Sequence, residues 1–88
     1  MAKYVSLHTL ACLTRQGAEE LAKRVFAATG GSAAGRRVAV NLIEGKMLVE
    51  WEAPDRDQLE AWLQNERFHY DWVLRIELES AGGALAAP

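Results

Sequence analysis

Apolar and polar side chains alternate from Lys3 to Leu10, KYVSLHTL. Val5, Leu7 and Thr9 fall on one side and Tyr4, Ser6, His8 and Leu10 on the other, the period-two pattern of a strand. The period then changes. Ala18, Leu21, Ala22, Val25 and Phe26 recur at helical spacing, with Glu19, Glu20, Lys23 and Arg24 opposite them. Thr14 is the expected N-cap of this helix, which runs from Arg15 to Ala28, and Gly30 and Gly31 are expected to stop it. The segment Gly30 to Gly35, GGSAAG, reads as a loop. Alternation returns from Arg37 to Ile43 and from Met47 to Glu52, joined by Glu44-Gly45-Lys46 as a hairpin turn. Pro54 ends the second of these strands, and Asp55 with Gln58 forms a capping box for a helix to about Asn65 with Leu59, Trp62 and Leu63 on one face. After a link, Phe68-His69-Tyr70-Asp71, the last strand is expected from Trp72 to Glu79.

The element order β-α-β-β-α-β is the signature of an α+β, ferredoxin-like split βαβ domain. Right-handed crossovers place its strands 4-1-3-2 in one antiparallel sheet with both helices on one face. Residues 1–80 form this single domain, and residues 81–88 (AGGALAAP) are expected to be a flexible tail. By alternation Val5, Leu7, Val38, Val40, Met47, Val49, Trp51, Leu74 and Ile76 go under the helices, with Trp62 and Phe26 also in the core. The other sheet face carries Tyr4, Ser6, His8, Asn41, Ile43, Leu48, Glu50, Glu52, Val73 and Arg75. So mixed a face marks an interface. Two copies packed sheet to sheet as a dimeric α+β barrel would cover it, with Tyr4, Ser6, Asn41 and Arg75 lining a cavity between them.

Composition removes several function classes. The net charge of −2 argues against nucleic-acid binding by phosphate neutralisation. No apolar run reaches the roughly 18–20 residues of a membrane span. One Cys excludes an internal disulfide and a Cys-paired zinc finger. Lys3 is followed by a polar-interrupted stretch rather than the apolar centre of a signal peptide, so the expected location is cytoplasmic.

The first strand, between the third and fourth, is expected to run parallel to the third and antiparallel to the fourth, which brings the chemistry-bearing residues together. His8, Cys12, Glu50, Glu52, His69 and Asp71 then gather at one sheet end, a donor set suited to a borderline divalent metal. Each also has a plain structural reading. His8 would be a strand histidine bonded to a glutamate, Cys12 a small buried hydrophobe, His69 and Asp71 turn formers, Glu50 and Glu52 charges solvating a strand edge, and Arg75 a structural ion-pair partner. No Ser-His-Asp or Cys-His-Asn spacing marks an activated nucleophile.

Leu48 to Ile76, LVEWEAPDRDQLEAWLQNERFHYDWVLRI, resembles a bacterial ferredoxin-like family in which an E-A-P-[DE] turn after the third strand leads into the second helix and a short aromatic link opens the fourth strand. The resemblance spans about a third of the chain, and its matching residues are Glu52, Ala53, Pro54, Asp55 and the Phe68 to Asp71 link, with His69 and Tyr70 where the family usually has small residues. That family, largely of unassigned function, includes a small nickel-binding protein of dimeric ferredoxin-like fold. More loosely, the pattern is similar to the dimeric α+β barrel superfamily, which includes muconolactone isomerase-like enzymes and quinone-forming monooxygenases. The expectation is a non-enzymatic homodimer holding a divalent transition metal such as nickel at His8, Cys12, Glu50, Glu52 and His69. The alternative is a cofactor-free isomerase or monooxygenase acting on a small hydrophobic molecule in the barrel cavity.

Overall fold

Local capping marks where each of the two helices begins. Thr14 Oγ1 accepts the Gly17 amide at 3.0 Å and starts α1 (Arg15–Ala27), and Asp55 Oδ1 accepts the Gln58 amide at 2.8 Å and starts α2 (Arg56–Asn65). The computed structural model describes residues 1–28 and 33–88, so Gly30 and Gly31, the expected helix stop, lie outside the described residues. Four strands accompany the helices: β1 (Ala2–Thr9), β2 (Ala34–Asn41), β3 (Lys46–Ala53) and β4 (Trp72–Ile76). They pair antiparallel in the order β2-β3-β1-β4, the expected 4-1-3-2 sheet read from its other edge. This is the ferredoxin-like arrangement. No helix among the described residues is long and apolar enough to cross a membrane.

Boundaries differ from the pattern reading by more than one residue at three places. The strand β2 begins at Ala34, so Ala34 and Gly35 are strand rather than loop. It ends at Asn41 because that side chain closes the turn, its Oδ1 accepting the Glu44 amide at 3.0 Å and its Nδ2 donating to Glu44 at 2.7 Å. The strand β4 stops at Ile76, three residues short of Glu79. Beyond it the chain doubles back, with Glu79 and Ala86 exchanging both backbone hydrogen bonds at 2.8 and 2.9 Å.

Gly35 is required by close approach. A Cβ there would lie 2.3 Å from Val25 Cγ1 and 2.6 Å from the Val25 carbonyl oxygen, because α1 rests on β2 at this point. Gly35→Ala should therefore destabilise the domain by about 1–3 kcal/mol through overpacking. Gly82→Ala, with nothing within 4 Å of its Cβ, should stay within about 0.5 kcal/mol of the parent. Urea denaturation of the two variants checks the contrast, and equal stabilities would refute the contact.

The sheet faces are where the structure corrects the sequence reading most. The buried core is Tyr4, Ala18, Val25, Met47, Val49, Trp51, Leu59, Leu63, Phe68 and Val73, with Ala33 and Ala53 between them. Cross-strand partners share a face, and Tyr4 pairs with Trp51, Ser6 with Val49 and Val73, and His8 with Met47. Tyr4, Ser6, His8 and Val73 therefore point under the helices. Val5, Leu7, Trp72, Leu74 and Ile76 turn to the open side, the reverse of the expectation for β1 and β4. The reason is register: β3 has an unambiguous inner face, and a strand paired to it has no freedom to choose its own. Phe26 is also misplaced by periodicity alone. It stays 49% exposed, beside Val38, Val40 and Leu42 along the β2 edge, while Trp51 and Trp62 pack as expected with ring centroids 5.1 Å apart.

Candidate functional site

Strand direction decides the fate of the proposed donor set. A right-handed crossover through α1 makes β1 and β2 run the same way, and the hairpin then reverses β3, so β3 runs against β1 rather than parallel to it. Glu50 lies opposite Val5 and Glu52 opposite Lys3, three and five residues along the strand from His8. At about 3.4 Å per residue the separations along the strand are about 10 and 17 Å. His8 also faces the helices while both glutamates face the open side. Cys12 is exposed in the β1–α1 loop with φ of 55°. The His69 side chain is 78% exposed, its Nε2 3.8 Å from Asp71 Oδ1. Among the described residues no three His, Cys, Asp or Glu side chains are grouped so as to hold a metal ion.

Of the residues expected to line a cavity on the open face, Tyr4 and Ser6 are buried beneath the helices. Arg75, opposite Tyr4 on the edge strand, is exposed. Asn41 does lie on the open side. With Leu7, Ala39, Val40, Lys46 and Leu48 it borders a shallow depression of about 240 Å³.

What the structure gathers around His8 is a chain of hydrogen bonds. His8 Nδ1 is 2.7 Å from the His69 carbonyl oxygen, which can only accept, so Nδ1 carries the proton. In the neutral ring Nε2 is then an acceptor, and the Ser6 hydroxyl 2.7 Å away donates to it. Ser6 Oγ in turn accepts the Trp51 indole N–H at 2.8 Å. The chain Trp51, Ser6, His8, His69 carbonyl leaves no donor or acceptor over, and no buried side-chain polar atom among the described residues lacks a partner. Phe68 stacks on the imidazole at 4.1 Å and seals it. Burial holds the His8 pKa below its ordinary value of 6.5, opposed by the bond to the His69 carbonyl and the Asp71 carboxylate, with His69 adding slightly to the depression. Ser6 and His8 are fully buried, so this Ser–His pair has no access to a substrate.

The same sheet end is fastened further. The Asp71 amide donates to the Leu7 carbonyl at 2.7 Å, Thr9 Oγ1 donates to Asp71 Oδ2, and Lys46 Nζ donates to Thr9 Oγ1 at 2.9 Å. These bonds hold the α2–β4 link against the end of β1.

The open face has an apolar middle and a charged end. Val5 and Leu7 are half-buried, while Leu48, Trp72 and Leu74 are 38%, 42% and 54% exposed. At the charged end Lys3 bridges Glu79 at 3.1 Å and Glu50 at 3.6 Å, Arg37 reaches Glu50 at 3.5 Å, and Arg36 reaches Glu52 at 2.9 Å. The bond to Glu79 is the main reason the Lys3 ammonium pKa is raised; desolvation opposes it, and the Glu79 and Glu50 charges add to the rise. The sequence reading missed the His8 chain, and it expected the open face to be an interface but put Tyr4 and Val73 on it in place of Val5, Leu7, Trp72 and Leu74. The signal for the first was a Ser and a His two residues apart on one strand face. The signal for the second was a fourth strand with an apolar residue on each side, Val73 on one and Trp72, Leu74 and Ile76 on the other.

Comparison with family models, with curated proteins and with solved structures finds no match to this chain.

Proposed function

We propose that this protein is a non-enzymatic, self-associating module in which the open sheet face packs on the same face of a second copy. The observation that carries the reading is the apolar middle of that face: Val5, Leu7, Leu48, Trp72 and Leu74 lie together on three adjacent strands with no covering layer among the described residues. A second copy is the occupant that best suits it. A two-fold contact sets a patch against itself, which an uncharged patch tolerates, and the ion pairs at the charged end already neutralise one another.

Sedimentation or light scattering should give about twice the 9.7 kDa chain mass at micromolar concentration. Leu74→Glu and Leu48→Glu should each give a monomer, since each places like charges across the two-fold contact at a cost of several kcal/mol. Both positions are exposed in the single chain, so its own stability should change by about 0.5 kcal/mol or less. A wild-type mass of one chain up to millimolar concentration would overturn the reading. Mixed-species complexes formed only with other proteins would assign the face to a different partner.

A further inference from the structure

We propose that the Trp51–Ser6–His8–His69 chain is an acid-release latch: protonation of His8 unpins the α2–β4 link and, with it, the Trp72 end of the open sheet face. The effect on association rests on the self-association reading above; the latch itself does not. The geometry supplies both states. In the neutral state His8 uses one nitrogen as donor and the other as acceptor, and every group in the chain is paired. A proton added at Nε2 turns that acceptor into a donor aimed at Ser6 Oγ, which already receives the indole N–H. The Ser6 hydroxyl proton, displaced from Nε2, has no acceptor left in the chain, and the imidazolium is enclosed by Phe68 and the sheet. A buried charge and an orphaned hydroxyl both favour opening.

The groups facing His8 decide how strongly. From the link, the Asp71 carboxylate favours the proton and the His69 imidazole opposes it. From β3, the cross-strand neighbour is the uncharged Met47. Burial outweighs these, so the folded form binds its proton less readily than the unfolded chain does. The sign follows: the closed state keeps its full stability above about pH 6.5, and loses it as pH falls from there toward the depressed folded value. The loss is local first because His8 holds the link directly. The His69 carbonyl it binds is three residues before Trp72, which pairs with Leu7.

The test is hydrogen exchange and histidine titration by NMR on the full chain between pH 7.5 and 5. Protection of the Trp72 to Leu74 amides and of the Trp51 indole N–H should fall together as His8 titrates, by about tenfold for each unit of pKa depression. The protection of the β2–β3 amides should fall less. In His8→Asn, which retains a donor toward His69 and has no titrating ring, protection should not vary with pH over this range. If that variant does not fold, the wild-type comparison of β4 with β2–β3 amides decides alone. Unchanged β4 protection while His8 titrates, or the same acid loss in His8→Asn, would overturn the latch. A chain that is monomeric at pH 7.5 yet shows the exchange pattern would overturn self-association and leave the latch standing. A dimer with flat protection would do the reverse.

Discussion

Trp51→Ala should destabilise the domain by about 3–5 kcal/mol, the largest single effect expected here. A chain of 88 residues has about 4–13 kcal/mol of net stability, so the variant stands at the edge of unfolding at room temperature. Trp51 is fully buried, packs on Trp62 and pairs across strands with Tyr4, so truncation opens a cavity between α2 and the sheet. It also deprives Ser6 of the indole donor. Trp51→Phe separates the two contributions. It keeps most of the volume and should cost about 1–3 kcal/mol, the range for a lost buried partner. Urea denaturation measures both. A cost below about 1 kcal/mol for Trp51→Ala would be incompatible with a residue at the centre of this core.

Ser6→Ala, the removal of one oxygen, is expected to cost about 2–5 kcal/mol. No large cavity results, so packing alone predicts little. The cost comes from two groups left without partners in a dry interior, the Trp51 indole N–H and His8 Nε2, at about 1–3 kcal/mol each. A double-mutant cycle with Trp51→Phe isolates the mechanism. Once the indole N–H is gone, Ser6→Ala orphans only one group, so the double variant should be more stable than additivity predicts by about 0.5–3 kcal/mol. Strict additivity would mean that Ser6 and Trp51 are neighbours without an interaction. The cycle also bears on the latch, because the acceptor role of Nε2 is what acid would abolish.

These effects sit in a network that alternation did not locate, for reasons that differ from residue to residue. The strand β3 is legible by itself, since Met47, Val49 and Trp51 alternate with charged Glu50 and Glu52. The strand β1 is not. Val5 and Leu7 look more apolar than Tyr4, Ser6 and His8, yet the latter set is inside. Tyr4 brings bulk, and the polar atoms of Ser6 and His8 are paired, which cancels most of the cost of burying them. In β4, Trp72, Leu74 and Ile76 outnumber the inner Val73, and only the pairing of Val73 with Ser6 reveals which side faces the helices. The expected gathering of His8 with Glu50 and Glu52 depended on the direction of one strand against another. That direction is a property of the connected topology and not of either segment.

Local physics was therefore readable from the chain alone: the two capped helices at Thr14 and Asp55, the hairpin turn at Gly45, the order of elements and the sheet they imply. Each of these is settled within a few residues, by a side chain reaching its own backbone or by a period of two or 3.6. Which face of β1 and β4 is covered, that His8 is sealed against Phe68 rather than set beside glutamates, and that the uncovered side carries Trp72 and Leu74 were decided only by assembly. Register couples every side chain of a strand to its neighbour at once, so a single partner with an unambiguous inner face overrides the weaker preferences of the strands beside it.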